Sequence, residues 1–198
     1  MKNVVLYGGA FNPTHISHMA MASCLSNHFD EVWVMPCYSH AFNKVMVNPN
    51  QRLAMCQLAM SSLENKKIRV CAFEIHNQCD NTFESIKQLT KIEDHSFAIA
   101  IGQDNTATIN KWINYQELIA TVPFVIVERE GCGEFDSNAW YAKHPHKVIQ
   151  VKFEGVSSTK IREQLKNGMF PATLTDKVIE YIKKNKLYIE KYFVRDFL

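Results

Sequence analysis

The sequence has no long hydrophobic run and no excess of charge of one sign. No segment approaches the roughly 20 apolar residues of a membrane span, and the first residues lack the basic stretch and apolar core of a secretion signal. Lysine and arginine number 22 against 20 aspartate and glutamate, which gives no broad field for nucleic acid or a membrane surface. We therefore expect a cytoplasmic protein with no nucleic-acid or membrane partner, in which any anion binding is local.

The cysteines lack the spacing of a metal site. No CxxC pair occurs and no histidine stands at a matching distance, so we expect neither a zinc site nor a disulfide framework. We expect reduced thiols, mostly buried as small hydrophobes. The six positions are Cys24, Cys37, Cys56, Cys71, Cys79 and Cys132.

Internal repeats, low-complexity tracts and linkers are also absent, and we expect one domain over residues 1–198. What the sequence does contain is a succession of short apolar runs separated by helical patterns. This alternation predicts an α/β fold, Rossmann-like and doubly wound, with a mainly parallel sheet flanked by helices and a small helical part at about 155–198. The runs are residues 4–7, 32–35, 68–73, 97–101, 124–127 and 148–153.

Three helices are predicted between and after these runs. Residues 51–63 and 82–91 carry apolar side chains along one helical face, and residues 176–184 follow a threonine cap. Residues 37–50 are polar and predict a long loop, and residues 130–145 predict a mobile loop or lid edge. Ligands of such a fold bind beyond the carboxyl ends of the strands.

A phosphate site is predicted where the first run ends. Gly8 and Gly9 follow the apolar strand, and the chain reopens as a helix with His15 and His18 three residues apart. Glycines let a bulky anion approach the backbone, and a helix N-terminus offers unpaired N–H groups with a partial positive charge. The two histidines add donors on one face of the first turns.

A second anion site is predicted after the sixth run. Ser157, Ser158 and Thr159 form a helix N-cap, with hydroxyls and free N–H groups that face one crevice. Arg162 follows one turn later, within reach of a bound phosphate. A glycine turn alone is frequent in α/β proteins and a serine cap alone is a weak signal, but both at strand ends of one sheet indicate a triphosphate clamp.

Together the two segments resemble a nucleotidyltransferase superfamily with an early (H/T)xGH motif and a late SSTxxR motif. Within it, the pattern is most similar to the nicotinate or nicotinamide mononucleotide adenylyltransferases. GGAFNPTHISH resembles their GGxF(D/N)PxHxGH, VSSTKIREQLKNG resembles their ISSTxIRxxLxxG, and the segment from Val178 to Tyr188 resembles their VxxYIxxxxLY. The resemblance extends over nearly the whole chain.

Blocks in the middle of the chain carry the same resemblance. Gly102 and Asp104, with Trp112 downstream, are similar to the GxD and tryptophan that hold the ATP ribose and stack on the pyridine ring. Arg52 lies in a segment that resembles the family's RxxMxxLA helix. Lys44 takes the place of the lysine that ends the preceding loop.

The chain departs from this pattern mainly on the acceptor side. Thr82 opens TFESI, which resembles the TxDTL that caps the pyridine pocket, but residues 76–81 lack the usual arginine and tyrosine, and residues 38–44 lack the usual PPHK. Ser17 stands where the pattern has glycine, and we expect its side chain to tighten the phosphate cradle. The ATP side of the pattern is therefore nearly complete, and most of the departures fall on the side that receives the acceptor.

The resemblance implies transfer of the AMP moiety of ATP to nicotinate or nicotinamide mononucleotide in NAD biosynthesis, with release of pyrophosphate. It implies that His18 donates to the α-phosphate and that His15 and Arg162 hold the β and γ phosphates. No covalent intermediate is expected, and Mg²⁺ is expected to accompany ATP, held by phosphate oxygens and water with no dedicated protein site. The implied ATP-binding residues are Gly8, Gly9, Phe11, Asn12, His15, His18, Gly102, Asp104, Ser157, Ser158, Thr159 and Arg162, and the implied mononucleotide-binding residues are Lys44, Arg52, Thr82 and Trp112.

Two other functions remain open on the sequence. One is transfer to another phosphorylated acceptor such as phosphopantetheine, although that family lacks the GGxFNP lead-in and the spacing of GxD to tryptophan. The other is a nucleotide-binding module without catalysis, which the retention of both motifs disfavours. Nicotinate and nicotinamide differ by a few pocket hydrogen bonds, with donors that can be backbone groups, so the sequence does not separate them.

Overall fold

One sheet of six parallel strands forms the centre of the molecule. The computed structural model describes residues 1–39, 45–129, 138–151 and 155–189. The strands are β1 (Asn3–Gly9), β2 (Glu31–Pro36), β3 (Ile68–Val70), β4 (Ser96–Gly102), β5 (Phe124–Arg129) and β6 (Lys147–Val151). The α-helices are α1 (Ile16–Leu25), α2 (Pro49–Ser61), α3 (Phe73–Asn77), α4 (Thr82–Ile92), α5 (Tyr115–Thr121), α6 (Ser158–Lys166) and α7 (Asp176–Lys184), and 3₁₀ segments span Gln103–Lys111 and Trp140–Ala142.

The strand order is β3-β2-β1-β4-β5-β6, with every pairing parallel. Leu6 of β1 pairs with Trp33 of β2 on one side and with Ile99 of β4 on the other. The order of the strands therefore reverses between β1 and β4. In a doubly wound sheet this reversal opens a crevice beyond the carboxyl ends of the two strands. The predicted α/β, Rossmann-like fold is confirmed.

Both faces of the sheet are buried. Alternate residues of β1 divide between two cores, because Val4 and Leu6 belong to one and Val5 and Tyr7 to the other. A parallel strand that is covered on both faces needs apolar residues at successive positions. This explains why the sequence shows continuous apolar runs in place of a polar and apolar alternation.

The C-terminal helices form a third core on α2. Leu165 of α6 and Val178 of α7 pack in one buried cluster with Met55 and Ala59 of α2. The predicted helical part after residue 155 therefore exists, and it is fastened to the rest of the fold by apolar burial.

Helix boundaries follow side-chain caps. Thr175 and Asn81 each accept a hydrogen bond from a first-turn N–H of α7 and α4, which begin where the sequence predicts. Helix α2 begins at Pro49 and not at residue 51. The reason is that the side chain of Asn48 caps it, and proline suits a first helical turn.

The predicted third run, residues 68–73, is not one strand. β3 ends at Val70 and α3 begins at Phe73. Cys71 N donates a last bond to β2, at 2.8 Å, and β2 ends at Pro36, which has no N–H to continue the ladder. The apolar residues at the end of this run, Cys71 and Phe73, pack in or against a core of the protein instead.

Two predicted loops fall partly outside the described residues. Residues 40–44 belong to the first and residues 130–137 to the second, so the lid edge stays a prediction. Across the ranges that the structure does describe, no helix combines the length and the apolar character needed to cross a membrane.

Candidate active site

A cavity of about 450 Å³ opens beyond the carboxyl ends of β1 and β4. Its size is typical of a small-molecule site, for which about 300–1,000 Å³ is usual. Both predicted motifs and the middle blocks contribute to its wall. The predicted residues that line it are Gly8, Gly9, Phe11, His15, His18, Thr82, Gly102, Asp104, Trp112 and Ser158.

The turn after β1 is more crowded at Gly9 than at Gly8. A Cβ on Gly9 would lie 3.2 Å from Cε2 of Phe11, and Phe11 is buried with a positive φ of 46°. A Cβ on Gly8 would meet nothing within 4 Å. The backbone at Gly8 is therefore open to the cavity, where an anion can approach it closely.

His15 and His18 lie side by side at the start of α1. Their rings stack with centroids 3.7 Å apart, and the ring of Phe11 meets that of His18 edge-on at 4.9 Å. The backbone N of His15 donates to His18 Nδ1 at 3.2 Å, so a neutral His18 carries its proton on Nε2. His18 is thus an oriented N–H donor in the cavity wall, of the kind that stabilises charge on a phosphate.

The second motif reaches the same cavity through Ser158. Its Oγ lies 3.1 Å from His15 Nε2, although the two residues are 143 positions apart. Ser157 caps α6, as predicted, by accepting a hydrogen bond from Lys160 N at 3.4 Å. Ser157 and Thr159 lie beside the cavity wall, so Ser158 is the hydroxyl of the cap that faces the cavity.

Arg162 and Asn12 contact each other, and neither is among the residues that line the cavity. Arg162 Nη1 donates to the Asn12 carbonyl at 2.9 Å, and Nη2 donates to Thr159 Oγ1 at 3.1 Å. Asn12 is buried, and its Oδ1 accepts from the Tyr188 hydroxyl at 2.6 Å and from Val47 N at 3.4 Å. The side-chain oxygen of Asn12 therefore joins distant segments of the protein, and the predicted contact of Asn12 with ATP stays a prediction.

Arg52 has a different place from the one predicted. It is fully buried, and its guanidinium donates to Val47 O (3.1 Å), Ala10 O (2.9 Å), Cys37 O (2.7 Å) and Tyr38 O (3.1 Å). A further N–H meets the Cys37 Sγ at 3.8 Å. Because all five donors of an arginine are thereby used, Arg52 fastens the loops after β1 and β2, and it is not among the residues that line the cavity.

The wall on the acceptor side combines aromatic and polar groups. Trp112 ends the 3₁₀ segment that follows β4 and is half-buried against the core. Thr82 and Phe83, at the start of α4, line the same cavity, as does Lys111. Sequence reasoning missed Phe83 and Lys111, although each is adjacent to a predicted residue. Lys44, the remaining predicted cation, lies outside the described residues.

Glu74 is a third cavity residue that sequence reasoning missed. It lies in α3, lines the cavity and is only 5% exposed. Ser85 Oγ donates to its Oε1 at 2.9 Å. Burial raises the pKa of Glu74 to about 7, against the opposing effects of this hydrogen bond and of the Arg52 charge. Its burial results from the turn that ends β3 early, which the apolar pattern does not reveal.

We expect Glu74 to make stability depend on pH. Between its unfolded pKa near 4.5 and its folded pKa near 7, the folded state holds a proton that the unfolded state has released. Stability should therefore fall as pH rises through this window, by up to about 3 kcal/mol. Glu74→Gln, which stays neutral, should remove this loss, measured as the free energy of unfolding in urea at pH 5 and pH 8.

Glu163→Gln provides the matched control, because Glu163 is an exposed acid on α6. Its free energy of unfolding should follow that of the parent protein to within about 0.5 kcal/mol at both pH values. An unchanged pH dependence in Glu74→Gln would contradict the buried position of the carboxyl group.

The described cysteines are free thiols, as predicted. Cys56, Cys71 and Cys79 are buried, and Cys24 and Cys37 are half-buried. Burial raises the pKa of each thiol, that of Cys56 to about 12. Within the described ranges no group of three or more His, Cys, Asp or Glu has the arrangement of a metal site.

Several known proteins are similar to this chain over nearly its whole length. A family model described as cytidylyltransferase-like matches residues 6–164. A probable nicotinate-nucleotide adenylyltransferase of Anaeromyxobacter sp. (strain K) is 30% identical, covering 94% of this chain and 97% of that protein. One of the same description from Methylacidiphilum infernorum (isolate V4) is 28% identical, covering 98% and 95%.

A solved structure shares the fold. The Plasmodium falciparum nicotinic acid mononucleotide adenylyltransferase complexed with NaAD is similar with a TM-score of 0.78 and 24% sequence identity. The match covers 95% of this chain and 98% of that one. The parallel sheet and its flanking helices are therefore common to the two proteins over nearly their whole length.

Proposed function

The chain belongs to the cytidylyltransferase-like family, and we infer from this membership that it is a nucleotidyltransferase of NAD biosynthesis. It joins the AMP moiety of ATP to nicotinate mononucleotide, the acceptor in the names of its relatives. An oxygen of the acceptor phosphate forms a bond to the α-phosphorus of ATP. The bond from that phosphorus to the bridging oxygen breaks, and pyrophosphate leaves with the electron pair.

One feature of the site supports this transfer most strongly. The first motif, through His18, and the second, through Ser158, line one cavity together with Trp112. Transfer of a phosphoryl or nucleotidyl group needs little covalent chemistry from the protein, but it needs aligned reactants and stabilised charge. Donors for a triphosphate and an aromatic surface for a base meet here within one cavity.

The triphosphate side of the site supplies the charge stabilisation. We assign to His18 Nε2 a hydrogen bond to the α-phosphate oxygens that strengthens in the transition state. His15 and Arg162 hold the β and γ phosphates, and Ser158, the cap hydroxyl that faces the cavity, completes the cradle with Ser157, Thr159 and the first N–H groups of α6. Mg²⁺ enters with ATP as part of the substrate, held mostly by phosphate oxygens and water.

The opposite side binds the ribose and the acceptor. Gly102 and Asp104 follow β4 and are assigned to the ATP ribose, and Trp112 stacks on the pyridine ring. Thr82 contacts the acceptor from the start of α4. Lys44 keeps its predicted role of steering the acceptor phosphate. A cytoplasmic location is part of the same proposal.

Release of pyrophosphate tests the reaction directly. The purified protein with MgATP is assayed in parallel with nicotinate mononucleotide, nicotinamide mononucleotide and phosphopantetheine. We expect release with nicotinate mononucleotide, with a kcat/KM at least about tenfold above that for the amide, since a site matched to one polar group disfavours its analogue.

Three outcomes of this assay would contradict the proposal in different ways. Release with phosphopantetheine alone would assign another acceptor. Equal rates with both pyridine mononucleotides would remove the preference for the acid. Calorimetric binding of ATP with no pyrophosphate release in any mixture would indicate a nucleotide-binding module without catalysis.

A further inference from the structure

A hydrogen bond joins the two phosphate motifs at Ser17. Val156 N donates to Ser17 Oγ at 3.1 Å, across 139 positions of sequence. Ser17 is buried in the first turn of α1, between His15 and His18, and lines the cavity. Val156 directly precedes the cap of α6. The hydroxyl of Ser17 therefore holds the entry to the second motif against the helix that carries the first.

Two other polar bridges between the motifs use groups that are assigned to ATP. His15 Nε2 meets Ser158 Oγ at 3.1 Å, and Arg162 donates to the Asn12 carbonyl. These side chains have to exchange partners when a triphosphate enters, because the same polar atoms then face phosphate oxygens. The bond between Ser17 and Val156 uses none of the assigned groups, so it can persist while the others exchange.

A backbone contact supports the same arrangement farther from the cavity. Ile16 N donates to Thr173 O at 3.0 Å, which fixes the chain after α6 to the first residue of α1. The segment between the two contacts includes α6 in full. The segment that contains α6 is therefore attached to α1 on both sides of the helix, at Val156 by the side chain of Ser17 and, seven residues beyond its last residue, at Thr173 by the backbone.

We propose that Ser17 is a positioning residue that pre-organises the triphosphate clamp by fixing the N-terminal end of α6 relative to α1. The identity of the ligand as a triphosphate rests on the proposed function, whereas the hydrogen bond between Val156 N and Ser17 does not. A glycine at this position, as in the pattern that the first motif resembles, has no side-chain acceptor for Val156 N. Because the clamp is already ordered before the ligand binds, binding does not have to supply the free energy of ordering it, and the affinity is higher.

Ser17→Ala tests the proposal because it removes the acceptor oxygen and keeps Cβ. Two quantities are measured, amide hydrogen exchange at Val156 and calorimetric affinity for a non-hydrolysable ATP analogue. We expect exchange at Val156 to become at least about tenfold faster and the affinity to fall about three- to tenfold, the range for loss of one hydrogen bond. The KM for the mononucleotide should stay within about twofold, because the acceptor wall lacks this contact.

Ser23→Ala is the matched control, since Ser23 lies on the same helix, is half-buried and is not in the cavity wall. It should change neither quantity. Unchanged exchange at Val156 in Ser17→Ala, or faster exchange with unaltered analogue affinity, would overturn the positioning role. Failure of the parent protein to bind the analogue would instead overturn the proposed function, and exchange at Val156 would then still decide whether the contact exists.

Discussion

Replacement of His18 by alanine is expected to lower kcat by about 10²–10³, the usual effect of removing one oriented donor to a developing oxyanion. The KM for ATP should rise by less than about threefold, because an interaction that strengthens in the transition state contributes little to ground-state binding. The orientation of His18 comes from the 3.2 Å bond between His15 N and its Nδ1. Steady-state kinetics of pyrophosphate release at saturating mononucleotide measures both constants.

Trp112→Ala is the comparison for His18→Ala, because it alters the same cavity on the acceptor side. It should raise the KM for the mononucleotide and leave the KM for ATP nearly unchanged, since stacking supports binding of the pyridine ring. Near-normal turnover in His18→Ala would refute the assignment of His18. An unchanged KM for the mononucleotide in Trp112→Ala would refute the stacking.

The second large effect is on stability. Arg52→Met should lower the free energy of unfolding by about 3–5 kcal/mol, because it leaves several buried carbonyl groups without a donor. These carbonyls belong to Ala10, Cys37, Tyr38 and Val47, and among the described residues no backbone N–H outside a helix or strand donates to them. Urea titration followed by circular dichroism measures the loss.

Two variants bracket this result. Arg52→Lys keeps the positive charge but has three donors in place of five, so it should restore only part of the stability. Arg69→Met alters a half-exposed arginine over the ring of Trp33 and should lower stability by less than about 1 kcal/mol. A stable Arg52→Met protein with a raised KM for the mononucleotide would reinstate the contact that the sequence pattern predicts.

Local signals predicted the parts of the site that are contiguous in sequence. The turn at Gly8 and Gly9 and the helix caps at Ser157 and Thr175 each depend only on residues a few positions away in the sequence. The continuous apolar runs predicted a sheet buried on both faces, because successive residues of such a strand face opposite cores and both therefore have to be apolar.

Other parts could not be predicted because their partners are remote. Arg52 matches a helix pattern, but its role depends on four carbonyls in two loops that have no periodicity. Asn12 lies inside the first motif, yet its side chain binds Tyr188, 176 residues away. Burial raises the pKa of Tyr188 well above its ordinary value, which keeps the hydroxyl a donor to Asn12.

The contact between Asn12 and Tyr188 also constrains the order in which the protein acquires its site during synthesis. Chains emerge from the ribosome N-terminus first, so the first motif is made long before Ser158 exists to complete the cavity wall and before Tyr188 exists to bind Asn12. Pairing of such distant segments also makes the closing step slow relative to local helix formation. A nascent chain that ends before α6 would carry the glycine turn and both histidines but no clamp, and so would not sequester ATP while it is being made.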